Sequence, residues 1–256
     1  MMAALTIDDL SLSFGGIHVL REISLAIEPG RITGIIGPNG AGKTSLFNCL
    51  MGLYQPQHGQ ILLDGRSIRD LKVADRAGLG LARTFQRVEL SETLTVMENV
   101  IAGLVATLDS GWLSAFIALP RARAEMARAR ELARVTLEAL GISEFADSPI
   151  TALPPGTLRL VEVARALARK PRVLLLDEPA AGLNTTETAE LARVLARTVS
   201  PDLATVVVEH DMDFISTLCR DVYVLDFGKV IAQGRPEDVL KHPDVVRVYM
   251  GEQTNE

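Results

Sequence analysis

Gly37-Pro38-Asn39-Gly40-Ala41-Gly42-Lys43-Thr44 is the stretch that decides the fold. Two glycines separated by four residues, then Lys and Thr, form the phosphate-binding loop pattern. At ordinary residue frequencies about 250 starting positions would produce it by chance on the order of one time in a hundred. The spacing has a physical reason. Glycines let backbone N–H groups turn inward on phosphate oxygens, and a helix starting at the loop's end adds its positive terminus. Lys43 then reaches the terminal phosphates, and Thr44 offers a hydroxyl to Mg²⁺. The flanks agree: Ile32 to Ile36 is a short apolar run, and Leu46, Phe47, Leu50 and Leu53 recur at helical spacing. The segment reads as strand, loop, helix.

Two further apolar runs end in polar residues. Val173 to Leu176 leads into Asp177-Glu178, and Thr205 to Val208 leads into Glu209-His210-Asp211. Three such strands separated by helical stretches predict a parallel sheet buried on both faces, with its chemistry at the carboxyl ends. A strand lying beside the loop strand and ending in this acidic pair would hold Mg²⁺ with Asp177 and polarise an attacking water with Glu178. Strand-end acidic pairs also serve as helix caps or solvated turns, and the glycine loop is what selects the catalytic reading. His210 stands where an imidazole reaches a terminal phosphate or the attacking water, with a structural histidine as the plain alternative. His18, His58 and His242 have no such setting and read as surface or turn residues.

Upstream, Leu5, Ile7, Leu10, Leu12 and Phe14 recur at nearly every second position, with a slip at Asp8-Asp9 that predicts a strand with a bulge. Gly15-Gly16 turns the chain into a second strand marked by Ile23, Leu25 and Ile27, antiparallel to the first. The middle third is different. Ala122 to Leu140 is rich in Ala, Arg, Glu and Leu, with Leu132, Val135 and Ala139 at helical spacing, and Leu158 to Lys170 reads as another helix. Arg121, Arg123, Arg128, Arg130 and Arg134 interleave with Glu125 and Glu131, with no aromatic residue for base stacking, so they read as a solvated face.

Composition bounds the partners. Of 256 residues, 48% are hydrophobic and 23% charged, which excludes a disordered, collagen-like or coiled-coil chain. Lys and Arg number 26 against 32 Asp and Glu, and a net charge of -6 argues against nucleic acid as a partner. Cys49 and Cys219 form neither a disulfide framework nor a zinc-ligand spacing and fit a reducing cytosol. The uncharged stretch from Thr44 to Leu63 reaches the roughly 20 residues of a spanning helix. It contains Asn48, Gln55, Pro56, Gln57, His58 and Gln60, whose polar groups lipid would leave unpaired. Met1-Met2-Ala3-Ala4 leads to Asp8-Asp9 with no basic region and apolar core, so no signal peptide is expected.

Taken in order along essentially the whole chain, these segments resemble the ATP-binding subunits of ABC transporters. The resemblance implies an α/β fold: a P-loop NTPase (RecA-like) core with a mainly parallel sheet, an N-terminal antiparallel β subdomain and an inserted α-helical subdomain. Residues 1–87 and 166–256 would form the nucleotide-binding core, and 88–165 the helical subdomain ending in the family's signature segment. ATP and Mg²⁺ are the implied ligands. The implied ATP-binding set is Phe14, stacked on adenine, Gly37, Pro38, Asn39, Gly40, Ala41, Gly42, Lys43, Thr44 and Ser45, together with Gln86. Gln86, in the loop Arg83-Thr84-Phe85-Gln86, would contact Mg²⁺ alongside Thr44 and Asp177 and touch the membrane subunit. Glu178 and the switch histidine His210 would be catalytic, and Ala181-Gly182-Leu183-Asn184 matches the subunit-interface loop. Within the family, Glu178 to Asn184, Glu209-His210-Asp211-Met212 and the ending Pro243-Asp244-Val245-Val246 to Tyr249-Met250-Gly251 look most like ATPases of branched-chain amino-acid importers. A lipopolysaccharide-export group shares much of this pattern.

One segment departs. The family signature is Leu-Ser-Gly-Gly-Gln, and here Leu153-Pro154-Pro155-Gly156-Thr157 stands in its place. In the family this segment faces ATP held by the opposite subunit. Pro154 lacks the serine hydroxyl and Pro155 cannot donate an N–H, which leaves Gly156, the Thr157 hydroxyl and the positive end of the following helix. The implied partners are two membrane-spanning permease subunits, a second ABC ATPase subunit, identical or different, and a substrate-binding protein. The implied location is cytoplasmic, peripheral on the inner face of the cell membrane. Two rivals stand beside this reading: a non-transport ABC ATPase acting on DNA or ribosomes, and a regulatory nucleotide-binding subunit with weak hydrolysis.

Overall fold

The computed structural model describes residues 3–84, 89–105 and 120–252. Its strands are β1 Leu5–Phe14, β2 Ile17–Ile27, β3 Arg31–Ile36, β4 His58–Leu63, β5 Arg66–Ser67, β6 Leu81–Arg83, β7 Val173–Asp177, β8 Ala204–Val208, β9 Asp221–Asp226 and β10 Lys229–Gly234. The helices are α1 Lys43–Met51, α2 Val73–Gly78, α3 Val96–Val105, α4 Pro120–Ala139, α5 Pro155–Leu167, α6 Thr185–Arg197, α7 Met212–Leu218, α8 Pro236–Val239 and α9 Pro243–Glu252. The chain divides into two compact units. Residues 1–83, 172–179 and 199–256 form the first, and residues 84–171 and 180–198 the second.

The first unit contains both sheets. One is antiparallel in the order β2-β1-β4-β5, and the other runs β10-β9-β3-β8-β7-β6. In the second sheet β9, β3, β8, β7 and β6 pair in parallel, and only β10 is antiparallel. The chemistry of the sequence accounts for both. β7 and β8 read Val-Leu-Leu-Leu-Asp and Ala-Thr-Val-Val-Val and are buried at every residue, as central parallel strands must be. β1 instead alternates, and its register against β2 slips between Ile7 and Leu10, where Asp9 takes a positive φ of 47°: this is the bulge expected from the sequence. Leu46, Phe47 and Leu50 of α1 join Leu10 and Leu12 of β1, Leu20 of β2 and Leu225 of β9 in one buried cluster.

Three expectations need correction. Leu53 does not share the apolar face of α1: the helix stops at Met51, Gly52 takes the left-handed cap (φ 82°), and Leu53 is 55% exposed. In α4 the buried face is Ala129, Ala133 and Leu137; Val135 is exposed, because spacing alone does not choose between overlapping stripes on a long Ala-rich helix. The acidic strand β7 does not lie beside the loop strand β3, since β8 lies between them.

In the second unit α3, α4 and α5 pack on one another, with α6 against α5. Arg123, Arg128, Arg130 and Arg134 are exposed on α4, and Arg134 pairs with Glu131 at 2.8 Å and Glu138 at 3.0 Å, the solvated face expected. A buried pair, Arg159 and Glu162 at 3.1 Å, ties α5 internally, and Glu162 also accepts the Glu89 N–H at 3.1 Å. Burial pushes the Glu162 carboxyl above the usual carboxylate range, against the pull of Arg159.

Arg76 of α2 is fully buried in the first unit and anchors the far end of α1. Its guanidinium donates to the carbonyls of Cys49 at 2.5 Å, Leu50 at 2.7 Å, Leu71 at 3.0 Å and Arg69 at 2.5 Å. The Cys49 and Leu50 carbonyls lie in the last turn of α1, beyond the reach of i→i−4 pairing; the Gly52 N–H gives Cys49 one further donor at 3.1 Å. Arg76→Met keeps the side-chain bulk and removes the guanidinium donors from buried carbonyls, of which Cys49 alone in α1 keeps a backbone partner, so it is expected to cost about 3 kcal/mol of stability. Urea denaturation checks this; a loss under about 1 kcal/mol would mean that water replaces the guanidinium.

Candidate functional site

The register of three strands assembles the site. Ile35 of β3, Val208 of β8 and Asp177 of β7 lie in one row across the sheet. The glycine loop begins two residues beyond that row on β3, His210 lies two residues beyond it on β8, and Glu178 one residue beyond it on β7. Parallel pairing brings all three strand ends to the same edge. At one strand spacing of about 4.8 Å per step, β3 and β7 stand about 10 Å apart, with the β8 end between them.

The loop is held from within and from behind. Lys43, the first residue of α1, is buried, and its Nζ donates to the carbonyls of Gly37 at 2.6 Å and Pro38 at 2.9 Å. The Ala41 carbonyl accepts the Gly228 N–H at 3.0 Å, and the Gly228 carbonyl accepts the Arg21 N–H at 2.7 Å, so the β9–β10 turn links the loop to β2. Two glycines are required by this packing. A Cβ on Gly37 would stand 2.1 Å from the Leu225 carbonyl oxygen, and one on Gly42, at φ 105°, would stand 2.9 Å from Leu20 Cδ2. Asn39 and Gly40 are exposed on the outer side, Thr44 is exposed in the first turn of α1, and Ser45 is half-buried.

Asp177 is buried at the end of β7, and its Oδ2 accepts from Arg83 Nη2 at 2.6 Å. Glu178 is half-buried, with φ at 45° in the left-handed region, and its N–H donates to the Val208 carbonyl at 2.9 Å. A non-glycine residue held there costs on the order of 1 kcal/mol or more, and such strain is typical of residues whose direction matters. His210 leaves the sheet: its side chain is 69% exposed, with Nδ1 3.7 Å from Glu209 Oε2. Glu209 is fully buried and accepts the His210 N–H at 3.1 Å, while Asp211 caps α7 by accepting from the Asp213 and Phe214 N–H groups. Phe14, at the end of β1, is not a core aromatic. It is 47% exposed and meets Tyr54 edge-on, with ring centroids 5.1 Å apart.

Of the residues expected from the sequence, the first unit contains Phe14, the glycine loop, Asp177, Glu178 and His210. Gln86 lies outside the described residues. Pro154 to Thr157 lie in the second unit. There Pro154 is the N-cap of α5 and Pro155 its first residue, both exposed, while Gly156 turns toward Glu187, whose Cβ and Cγ would lie 3.5 Å from a Cβ on that glycine. The interface-loop residue Asn184 caps α6, accepting from the Thr186 and Glu187 N–H groups at 3.0 Å each, and Glu187 accepts the Asn184 N–H in return. Sequence reasoning missed Arg83 and Glu209. Neither type is rare at a strand end, and only the folded sheet shows that each is buried against a site residue.

Comparison with known proteins places the chain and its fold in a family. Residues 20–181 match the family model described as ABC transporter, and residues 229–254 match the one described as branched-chain amino acid ATP-binding cassette transporter. The chain is 38% identical over 249 residues to the high-affinity branched-chain amino acid transport ATP-binding protein BraF of Pseudomonas aeruginosa, covering 97% of this chain and 98% of that protein. It is 34% identical over 252 residues to the lipopolysaccharide export system ATP-binding protein LptB of Haemophilus influenzae, covering 98% and 99%. The fold matches an ATP-binding cassette of an ABC transporter solved in its ADP conformation, with a TM-score of 0.84, 28% identity and coverage of 98% and 100%. Motif order, sheet topology and full-length similarity converge: this chain belongs to the ATP-binding subunits of ABC transporters.

Proposed function

We propose that the chain is the ATP-hydrolysing motor subunit of an importer for branched-chain amino acids. The observation that carries the hydrolytic reading is the single row Ile35, Val208 and Asp177, beyond which the glycine loop, His210 and Glu178 emerge side by side. The cargo class is supported by the match at residues 229–254 and by the 38% identity to BraF, against 34% to LptB. No described helix is long and apolar enough to cross a membrane, so a transport role requires membrane-spanning partners. Two permease subunits, a second ATPase subunit and a substrate-binding protein complete the proposed assembly on the inner face of the cell membrane.

The residues present fit Mg²⁺. The Thr44 hydroxyl and the Asp177 carboxylate are hard oxygen donors, and no group of three His, Cys, Asp or Glu among the described residues is placed to hold a metal. One or two protein oxygens completed by phosphates and water is how Mg²⁺ is held in phosphoryl-transfer sites. When bound, it neutralises charge on the phosphate oxygens. Backbone N–H groups of the glycine loop bind the phosphates, and Lys43 exchanges its Gly37 and Pro38 carbonyl partners for phosphate oxygens. Glu178 accepts a proton from the water that attacks the terminal phosphorus, and the bond to the ADP oxygen breaks, leaving ADP and inorganic phosphate. His210, exposed beside it, positions the terminal phosphate. Phe14 supplies an apolar ring for adenine.

Two substitutions test this. Lys43→Ala is expected to weaken Mg-ATP binding in a calorimetric titration and to abolish hydrolysis; unchanged affinity overturns the role of the loop. Glu178→Gln keeps the shape of the side chain and removes its basicity, so binding is expected to persist while hydrolysis in the assembled complex falls at least about 100-fold. Turnover near that of the parent protein would exclude Glu178 as the base.

The signature yields a further expectation. Proline at the first position of α5 costs the helix little, because the N–H it lacks has no helical partner there. It removes a donor from the face that would meet ATP on the opposite subunit. Pro154→Ser together with Pro155→Gly is therefore expected to raise turnover of the isolated, dimerising protein, by up to about 100-fold for one recovered donor. A folded, dimerising variant no faster than the parent would show the departure to be neutral.

A further inference from the structure

Arg83 is the last residue of β6 and of the first of the three segments that make up the first unit. Its guanidinium is buried, with 6% of the side chain accessible, and among the described residues it meets three groups that differ in kind. Nη2 donates to Asp177 Oδ2 at 2.6 Å, Nη1 donates to Asn48 Oδ1 at 2.7 Å, and the cation lies 5.5 Å from the ring centroid of Phe47. Asn48 and Phe47 belong to α1, the helix that begins at Lys43 and Thr44. One side chain therefore joins the acidic end of β7 to the helix that follows the glycine loop.

We propose that Arg83 is a positioning residue for the metal ligand Asp177, setting its carboxylate relative to Thr44. The proposal rests on the reading of Asp177 and Thr44 as the Mg²⁺ donors. Two alternatives for a buried arginine on a metal-ligand carboxylate have opposite consequences. An arginine free to swing would compete with the cation for the carboxylate, whereas one fixed by other partners orients it. Asn48 and the Phe47 ring fix this guanidinium independently of Asp177. It takes a single oxygen, Oδ2, and its planar fork points the two Nη donors in different directions, one to each acceptor. Its positive charge also offsets the cost of burying an ionised carboxylate before any cation arrives. Lysine, with one ammonium on a flexible stem, does not reproduce this fork.

The test uses the full-length protein with a non-hydrolysable ATP analogue and Mn²⁺ as the probe, bound Mn²⁺ being counted by electron paramagnetic resonance. Nucleotide affinity is measured in parallel in EDTA by calorimetry. Arg83→Gln is expected to weaken Mn²⁺ binding about 10- to 100-fold, the range for removing the partner that orients a metal ligand, with metal-free nucleotide affinity within about twofold of the parent. Arg83→Lys is expected to fall between the two, and Asn48→Ala to shift Mn²⁺ binding in the same direction by less. Mn²⁺ binding unchanged or tighter in Arg83→Gln overturns the proposal, a tighter value identifying Arg83 as a competitor. Should Arg83→Gln fail to fold, Arg83→Lys and Asn48→Ala carry the test, and parental Mn²⁺ affinity in both overturns it. Asp177→Asn separates the two levels. If it leaves Mn²⁺ binding unchanged, the underlying assignment of Asp177 fails; if Mn²⁺ is lost there but not in the Arg83 variants, only the positioning role does.

Discussion

Parallel pairing of β3, β8 and β7 is the constraint on which the rest of this molecule depends. It sets Ile35, Val208 and Asp177 in one row and so turns three short apolar segments, far apart in sequence, into neighbouring strand ends. A slip of one residue in either pairing would turn alternate side chains to the opposite face of the sheet and draw the acidic pair away from the loop. The strands resist such a slip because every residue of β7 and β8 is buried. On one face Val173 and Leu175 of β7 and Ala204, Val206 and Val208 of β8 join the buried cluster that contains α1 and the antiparallel sheet, and a slip would trade these side chains for those of the other face.

Around this row the polar groups are satisfied by a few buried cations. Lys43 holds the loop carbonyls, Arg76 takes the last carbonyls of α1, and Arg83 bridges α1 to β7. The start, the far end and one flank of α1 are thus each tied to a side chain that would be costly to leave unpaired away from water. Under the proposed mechanism, in which Lys43 turns from these carbonyls to phosphate, the Arg76 and Arg83 contacts keep the rest of α1 in place.

The second unit has a different logic. Its signature segment caps a helix with proline, and its interface loop caps another with Asn184 and Glu187. Both are sound helix starts, so the departure from the family pattern lies in the donors offered outward and not in local stability. Fold and chemistry are separable here: Pro155 begins α5 well, and it brings no N–H to the outward end of that helix.

Much of this was legible in the residues themselves. The glycine loop, the three apolar strands with their polar ends, the bulge at Asp8-Asp9 and the solvated arginine face of α4 follow from local rules of glycine conformation, burial and charge that act within a few residues. What stayed hidden depended on partners distant in sequence. Strand order was one such feature, for an apolar run carries no mark of its neighbour, and β8 entered between β3 and β7. The buried stripe of α4 was another, since alanines at several phases pack equally well until a facing helix selects one. Arg76, Arg83 and Glu209 were the third: a charged side chain is buried only where acceptors or donors from other segments converge on it, and that convergence exists in the tertiary structure alone.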